Sequence, residues 1–264
     1  MPSRDQIHAG PTRSGVQRRG SYGIDAPKLL PVFALLLLAN VVDGVASRSV
    51  GPFVASAFIG ACGCLGLYAS RRGKFVVWGK LLDRLALRGG ERLLDIGCGR
   101  GAVLMMAAQR LNTGRAVGID LWKRGDQSGN AAEATRRNAA AEGVSSSVDM
   151  VTADMTALPF ANDTFDVVLS SLAIHNVRSR SGRNRTIEEA VRVLSPGGRL
   201  LIADLWSTGR YRARLSELGM TDVTRQQLGW RMWWSGPWLA TYLVTASKPP
   251  QGSGRARVGL KGKN

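Results

Sequence analysis

Leu93-Leu94-Asp95-Ile96-Gly97-Cys98-Gly99-Arg100-Gly101 is the stretch whose reading decides the fold. Leu93, Leu94 and Ile96 supply a short apolar run of the kind that forms a buried strand, and Asp95 sits where that strand ends. Gly97, Gly99 and Gly101 then let the backbone turn sharply and approach a ligand with no Cβ in the way. From Ala102 to Leu111 the residues are good helix formers without a breaker. A strand, a glycine turn and a helix in this order make a nucleotide-cofactor site. The turn alone does not say which cofactor.

Two spacings fit. Gly97, Gly99 and Ala102 match the G-x-G-x-x-G/A pattern of dinucleotide-binding folds. Asp95 ahead of Gly97, Gly99 and Gly101 gives D-x-G-x-G-x-G, which resembles the turn of class I S-adenosyl-L-methionine (SAM) methyltransferases. Asp120 serves both readings, because either cofactor offers ribose hydroxyls to a carboxylate at the end of the second strand. The downstream segments decide between them. Thr152 to Val177 (TADMTALPFANDTFDVVLSSLAIHNV) and Val193 to Leu205 (VLSPGGRLLIADL) resemble the second half of a class I methyltransferase domain. Matches fall in that family's order at four places between about residue 90 and residue 205. No Tyr-x-x-x-Lys pair or other hydride-transfer constellation is present. The ALPF and SSLAIHNV segments are similar to the small-molecule branch that includes the quinone-ring C-methyltransferases.

At 264 residues the chain has room for one ordinary domain plus extras. Three cysteines, two in an apolar run and one in the glycine turn, make no disulfide framework and point to a reducing compartment. Two apolar runs precede the domain: Leu29 to Ser47, then, after Arg48-Ser49, Val50 to Ser70. Each approaches the ~20 residues a helix needs to cross a bilayer. Pro31 and Pro52 sit near the helix starts, where a missing N–H is tolerated. A transmembrane helical hairpin over residues 29–70 is the expectation. Arg4, Arg13, Arg18, Arg19 and Lys28 precede it, Arg71, Arg72 and Lys74 follow it, and Arg48 alone lies between the runs. The positive-inside rule therefore places both ends, and the catalytic domain, in the cytoplasm of an integral membrane protein. A cleaved signal peptide fits poorly, since its basic region would be too long and a second apolar run follows.

The net charge of +17 invites a nucleic-acid partner, but its distribution argues against one. Much of it lies in two Gly/Pro/Ser-rich segments, residues 1–28 and 249–264, read as disordered basic tails, and at the membrane exit. Basic residues beside a membrane span attract anionic lipid by about 1 kcal/mol each. No zinc-ligand set or RNA-binding aromatic signature accompanies them. Ser170-Ser171-Leu172-Ala173 stands where base-amino methyltransferases carry Asn-Pro-Pro-Tyr.

From residue 71 to 248 the apolar pattern alternates between strand and helix, the mark of an α/β fold with a parallel sheet covered on both faces. Strands are expected at 92–96, 116–120, 148–153, 165–170 and 198–204, and helices at 102–111, 128–142, 184–194 and 208–218. Asp126 or Ser128 is the expected cap of the second helix. An amphipathic helix over Phe75 to Leu87 is expected at the membrane surface, over the cofactor pocket. The break at Ser235-Gly236-Pro237 and the strand-like WLATYLVTAS suggest a terminal hairpin. The resemblance then implies a Rossmann-like seven-stranded sheet with an antiparallel last strand.

It also assigns roles. Gly97, Gly99 and Gly101 cradle the methionyl part of SAM, and Asp95 orients the turn or holds the cofactor amine. Asp120 accepts ribose hydroxyls, Trp122 covers the adenine, and Asp154 with the Met155 backbone reads the adenine amino edge. His175, the one histidine within the domain, follows the fourth strand and is the candidate base, since an ordinary imidazole titrates near ~6.5. Asn176 is the candidate for orienting substrate. The basic run Arg178 to Arg185 is read as a loop on the same side. Trp206, Trp230, Trp233, Trp234 and Trp238 form an interfacial belt, line an apolar channel, or pack the terminal hairpin.

The expectation is a membrane-anchored SAM-dependent methyltransferase acting on a small, lipophilic acceptor, with no metal. Its rivals are a methyltransferase of a soluble metabolite and a catalytically inactive SAM-binding membrane adaptor. Acceptor atom and oligomeric state are open.

Overall fold

A computed structural model describes residues 18–123, 125 and 127–250. The stretches 1–17 and 251–264, which hold most of both basic tails, and Asp126, a proposed helix cap, lie outside the described residues.

Two apolar helices come first, α1 (Leu29–Ser47) and α2 (Gly51–Tyr68), joined by a turn in which Arg48 is left-handed. They pack through small residues. A Cβ on Gly44 would press on the Phe53 ring, while Gly60 and Gly63 face Leu37 and Phe33. Ser56 donates to the Leu37 carbonyl across the pair. Gly44 is the only buried residue of α1, and Leu35, Leu38, Val42 and Val45 are each more than half exposed. A π-helical turn, Ala69–Gly73, carries α2 directly into α3 (Lys74–Arg84).

The domain that follows is a seven-stranded sheet of order β3-β2-β1-β4-β5-β7-β6. Its strands are β1 (Arg92–Ile96), β2 (Arg115–Asp120), β3 (Val148–Thr152), β4 (Phe165–Ser171), β5 (Leu194–Asp204), β6 (Thr221–Gln227) and β7 (Tyr242–Ser247). The first five run parallel, and β7 inserts antiparallel between β5 and β6. Alternate strand residues feed two cores. Leu93, Val167, Leu169, Leu201 and Leu243 pack with Trp78 and Leu82 of α3 and Leu104 of α4 (Ala102–Ala108) on one face. Leu94, Ile96, Val168, Leu200 and Val244 pack on the other with Ile187 of α6 (Arg180–Val193) and with Tyr211 and Leu215 of α7 (Thr208–Glu217).

Three local expectations shift. The second helix, α5 (Ala132–Ala141), starts later than expected behind Ala131, and the Ser128 hydroxyl accepts the Ile24 N–H instead of capping it. The basic run Arg178 to Arg185 is mostly helical, because Ser179 caps α6 by accepting the Gly182 N–H. Within β5 the register slips between Phe165/Leu194 and Val167/Arg199, so regular pairing begins only after Gly197 and Gly198.

The N-terminal segment is a larger departure. Residues 18–28, assigned from composition to a disordered tail, lie across the domain. The Arg19 and Gly20 N–H groups and the Tyr22 hydroxyl donate to Glu142 Oε1, and Ser21 N–H donates to Asn138. Tyr22 packs against Phe75 of α3, and Asp25 forms a single antiparallel bridge with Gln127. These partners lie 53 to 123 residues away in sequence, so no local pattern marks them.

Candidate functional site

A cavity of about 660 Å³ opens beyond the C-terminal ends of the parallel strands. That is where open α/β sheets bind ligands, and the volume lies in the usual range for small-molecule sites. Its wall begins with the glycine turn. Gly97, Gly99 and Gly101 all have positive φ, and the Gly97 and Cys98 N–H groups donate to the Ile119 carbonyl, pinning the turn to β2. At Gly97 a side chain is excluded twice, by φ +72° and because a Cβ would collide with that of Ala173. Gly101 lies outside the cavity, at the start of α4, where a Cβ would press on Met105 and Thr135. Its part is to let the helix pack.

Asp95 lies at the cavity wall, 1% exposed, and neither carboxylate oxygen has a hydrogen-bond partner among the described residues. Burial, and then the Asp120 carboxylate, push its pKa up to about 7; the Leu104 backbone N–H pulls weakly the other way without reaching hydrogen-bond geometry. A buried, unpartnered carboxylate is costly. It is also a ready acceptor for a ligand ammonium, so this wall fits a cationic amino-acid end.

Asp120 is tied into the turn. Its Oδ2 accepts the Gly99 N–H at 2.9 Å, while Oδ1 accepts the Trp122 N–H at 2.6 Å and the Asn130 amide at 3.3 Å. A carboxylate offers about four acceptor sites, so capacity for a hydroxyl remains. Trp122 is not at the cavity. Its backbone is left-handed, its indole donates to Thr152 at the end of β3, and the neighbouring Leu121 lines the cavity in its place. Asp154 and Met155 line the same end. The Thr156 N–H and hydroxyl both donate to Asp154 Oδ1 at 2.8 Å and hold its pKa below the usual carboxylate range, the backbone bond acting most.

His175 and Asn176 stand beyond β4, both at the cavity. The sequence reading missed the partner of His175. Asp204, fully buried at the end of β5, accepts from His175 twice: the backbone N–H to Oδ2 at 3.0 Å and ring Nδ1 to Oδ1 at 2.5 Å. Leu205 N–H and the Tyr211 hydroxyl also donate to this carboxylate, which helps push the buried Tyr211 hydroxyl well above its ordinary pKa after burial itself. Pairing through Nδ1 fixes the imidazole tautomer and makes Nε2 the ring's acceptor. Trp206 meets the imidazole edge-on, 5.8 Å between centroids. The sequence does carry a signal, the acid ending the fifth strand in LLIADL, the position at which the second strand ends in Asp120.

The tryptophans divide. Trp234 lines the cavity and donates to Thr241, Trp230 stacks on Tyr68 at the foot of α2, and Trp238 packs against Phe58. The backbone carbonyls of Trp234 and Arg231 lie so close to Gly66 and Gly73 that a side chain on either glycine would collide with them. The foot of the hairpin thus leans on the cavity's rim. Arg178 also lines the cavity, ahead of α6.

Comparison with known proteins agrees with this geometry. The family model described as "Methyltransferase domain" matches residues 94–202. The ubiquinone/menaquinone biosynthesis C-methyltransferase UbiE of Roseobacter denitrificans is 37% identical over 124 residues, 47% of this chain and 46% of that protein. Methyltransferase GfsG of Streptomyces halstedii is 36% identical over 126 residues, 48% of this chain and 42% of that protein. The chain spans less than half the length of these curated relatives. Among solved structures, a geranyl diphosphate methyltransferase in complex with SAM aligns with TM-score 0.54 and 18% identity, over 66% of this chain and 85% of that one. The [4+2]-cyclase SpnF aligns with TM-score 0.53 and 21% identity, over 65% and 81%. These structural likenesses establish the fold alone, since one architecture carries a methyltransferase and a cyclase. The glycine turn, the cavity it borders and the matched stretch agree: residues 94–202 are similar to a methyltransferase domain, and the relatives that share this likeness include quinone C-methyltransferases.

Proposed function

We propose that the protein transfers a methyl group from SAM to a small-molecule acceptor. The observation that carries this reading is the cavity in which the glycine turn and a buried Asp95, without a hydrogen-bond partner among the described residues, stand one and two strands away from His175 and Asp204. One end suits a cationic nucleoside, and the other holds a group able to accept a proton.

When bound, the cofactor supplies a methyl group on a sulfonium, which a nucleophile must approach in line. The chain's part is alignment, exclusion of water and proton handling. The backbone at Gly97 and Gly99 cradles the methionyl end, and Asp95 meets its ammonium. Asp120 holds the ribose, while Asp154 and the Met155 backbone meet the adenine edge. Leu121 takes the apolar contact for which Trp122 is turned the wrong way. Asp204 holds His175 by its Nδ1 so that Nε2 receives the acceptor's proton where the acceptor must lose one. Asn176 orients that acceptor.

A finer reading makes the acceptor lipophilic and the hairpin a two-pass anchor with the domain on the cytoplasmic side. Its support is the apolar surface of α1, which nothing in the described chain covers, and the basic residues flanking the hairpin. The tryptophan-bearing rim against the foot of α2 adds to it. The relatives named for quinone methylation add an example of such an acceptor. A soluble metabolite is the second reading, favoured because the matched stretch leaves the hairpin out and Arg178 and Asp154 make part of the cavity polar. An inactive adaptor has less support, since the glycine turn, both acids and the histidine pair are all in place.

Full-length protein incubated with methyl-labelled SAM and either a lipid extract or a water-soluble extract of the host tests all three. Label in a lipid product is expected. Label only in the water-soluble fraction removes the lipophilic acceptor, and no label in either, with SAM bound, leaves the adaptor.

A further inference from the structure

We propose that Asp25, Lys74 and Gln127 form a zwitterion subsite at the methionyl end of the cavity, so that the segment ahead of the hairpin completes the cofactor site. This rests on the SAM reading above and adds to it residues that lie outside the matched domain.

Lys74, the first residue of α3, is an ammonium with a side chain only 5% exposed, and its Nζ donates to Asp25 Oδ2 at 2.7 Å. Asp25 is held from three further directions. Its N–H donates to Ser70, the Ser70 hydroxyl donates to Oδ2, and the Gln127 amide donates to Oδ1 at 3.0 Å. Gln127 Oε1 in turn accepts the Arg100 N–H, and a Cβ on Gly99 would stand 2.6 Å from that oxygen. A continuous hydrogen-bonded wall therefore runs from the glycine turn through Gln127 and Asp25 to Lys74. All three residues line the same cavity as Asp95.

A buried ion pair contributes little to stability, because desolvation offsets most of its attraction. Facing a cavity, however, it presents a negative and a positive group side by side. That arrangement is complementary to an α-amino acid, whose carboxylate approaches Lys74 and whose ammonium approaches Asp25 and the unpartnered Asp95. Adenine and ribose have no charge to place there. Because Asp25 is also bonded to Ser70, at the end of the hairpin, the ligand's amino-acid end locks together the chain entering and leaving the two apolar helices.

The test compares two nucleosides on the full chain in detergent micelles by calorimetry or competition. S-adenosylhomocysteine carries the amino-acid end, and 5′-methylthioadenosine lacks it. Lys74→Met, and the double variant Asp25→Asn/Lys74→Met, which leaves no lone buried charge, are expected to weaken S-adenosylhomocysteine roughly 10- to 100-fold. Their affinity for methylthioadenosine should match that of the wild type. Hydrogen exchange at residues 20–26 should slow on adding S-adenosylhomocysteine and not on adding methylthioadenosine. Equal loss for both nucleosides, or no loss for either, overturns the subsite and leaves the cofactor reading intact. Wild-type protein that binds neither nucleoside overturns the cofactor reading and the subsite with it.

Discussion

Replacing Asp95 by Asn isolates the physical feature on which the proposed cofactor site rests. In the ligand-free fold the Asp95 carboxyl titrates at about 7, against 3.8 for an ordinary aspartate, because burial and the neighbouring Asp120 disfavour its charge. The native state therefore binds more protons than the unfolded chain between those values, so this group's contribution to stability falls as pH rises from about 4 to about 7. At about 1.4 kcal/mol per tenfold step, the full difference is on the order of 4 kcal/mol, an upper figure for a site that admits water. Asn carries no charge to desolvate. It leaves a buried polar head much as the protonated acid does, so the two proteins should have similar stability below about pH 4, and the gap should already be opening at pH 5. At pH 8 the variant should be more stable by up to that amount. Denaturant melts of ligand-free protein from pH 5 to 8, read as the difference between variant and wild type, cancel the titration of every other group. Ligand binding should go the other way. An ammonium beside Asp95 favours the carboxylate, so wild-type affinity for S-adenosylhomocysteine should rise through pH 7, with proton uptake by buffer measurable by calorimetry. The Asn variant should lose both the affinity and the proton release. A stability difference that stays flat from pH 5 to 8 would show that Asp95 is not desolvated, and the argument for a cation-binding wall would fail.

Gly97→Ala meets both a left-handed backbone at φ +72° and the Ala173 Cβ, so it should cost about 1–3 kcal/mol of stability and abolish S-adenosylhomocysteine binding; a thermal melt paired with calorimetry checks both. Asp204→Asn leaves the cofactor wall alone but frees the tautomer of His175, so turnover of labelled SAM should drop about 100-fold with cofactor affinity unchanged, and unaltered turnover would remove His175 from proton transfer. For the hairpin, a cysteine introduced at Ser49, with the three native cysteines replaced, should react with an impermeant thiol reagent from outside intact cells, while one at Ser216 of α7 should react only after lysis; equal reactivity at the two sites refutes the two-pass anchor.

Much of the fold was legible because it is written at short range. The Leu93 to Gly101 stretch forms the strand and turn expected of it, since apolar spacing and positive-φ glycines act within a few residues. The terminal hairpin and its antiparallel strand likewise followed from the Ser235-Gly236-Pro237 break and the resemblance carried by four separate motifs. Errors of boundary arose where a single cap decided the outcome, as Ser179 did when it drew Arg180 to Arg185 into α6.

The site was legible in its backbone and less so in its side-chain partnerships. The chain by itself determined where a ligand-binding cavity forms, because glycines and strand-end acids act through local geometry and the parallel sheet brings their ends together. Only the tertiary structure decided that His175 is held by Asp204 from 29 positions away, that Trp122 turns to Thr152 and yields its place to Leu121, and that Asp25 reaches Lys74 across the whole apolar hairpin. The physical reason is common to all three. Hydrogen bonds and ion pairs between distant segments depend on where folding brings two side chains, and neither propensity nor hydrophobic period carries that information along the chain.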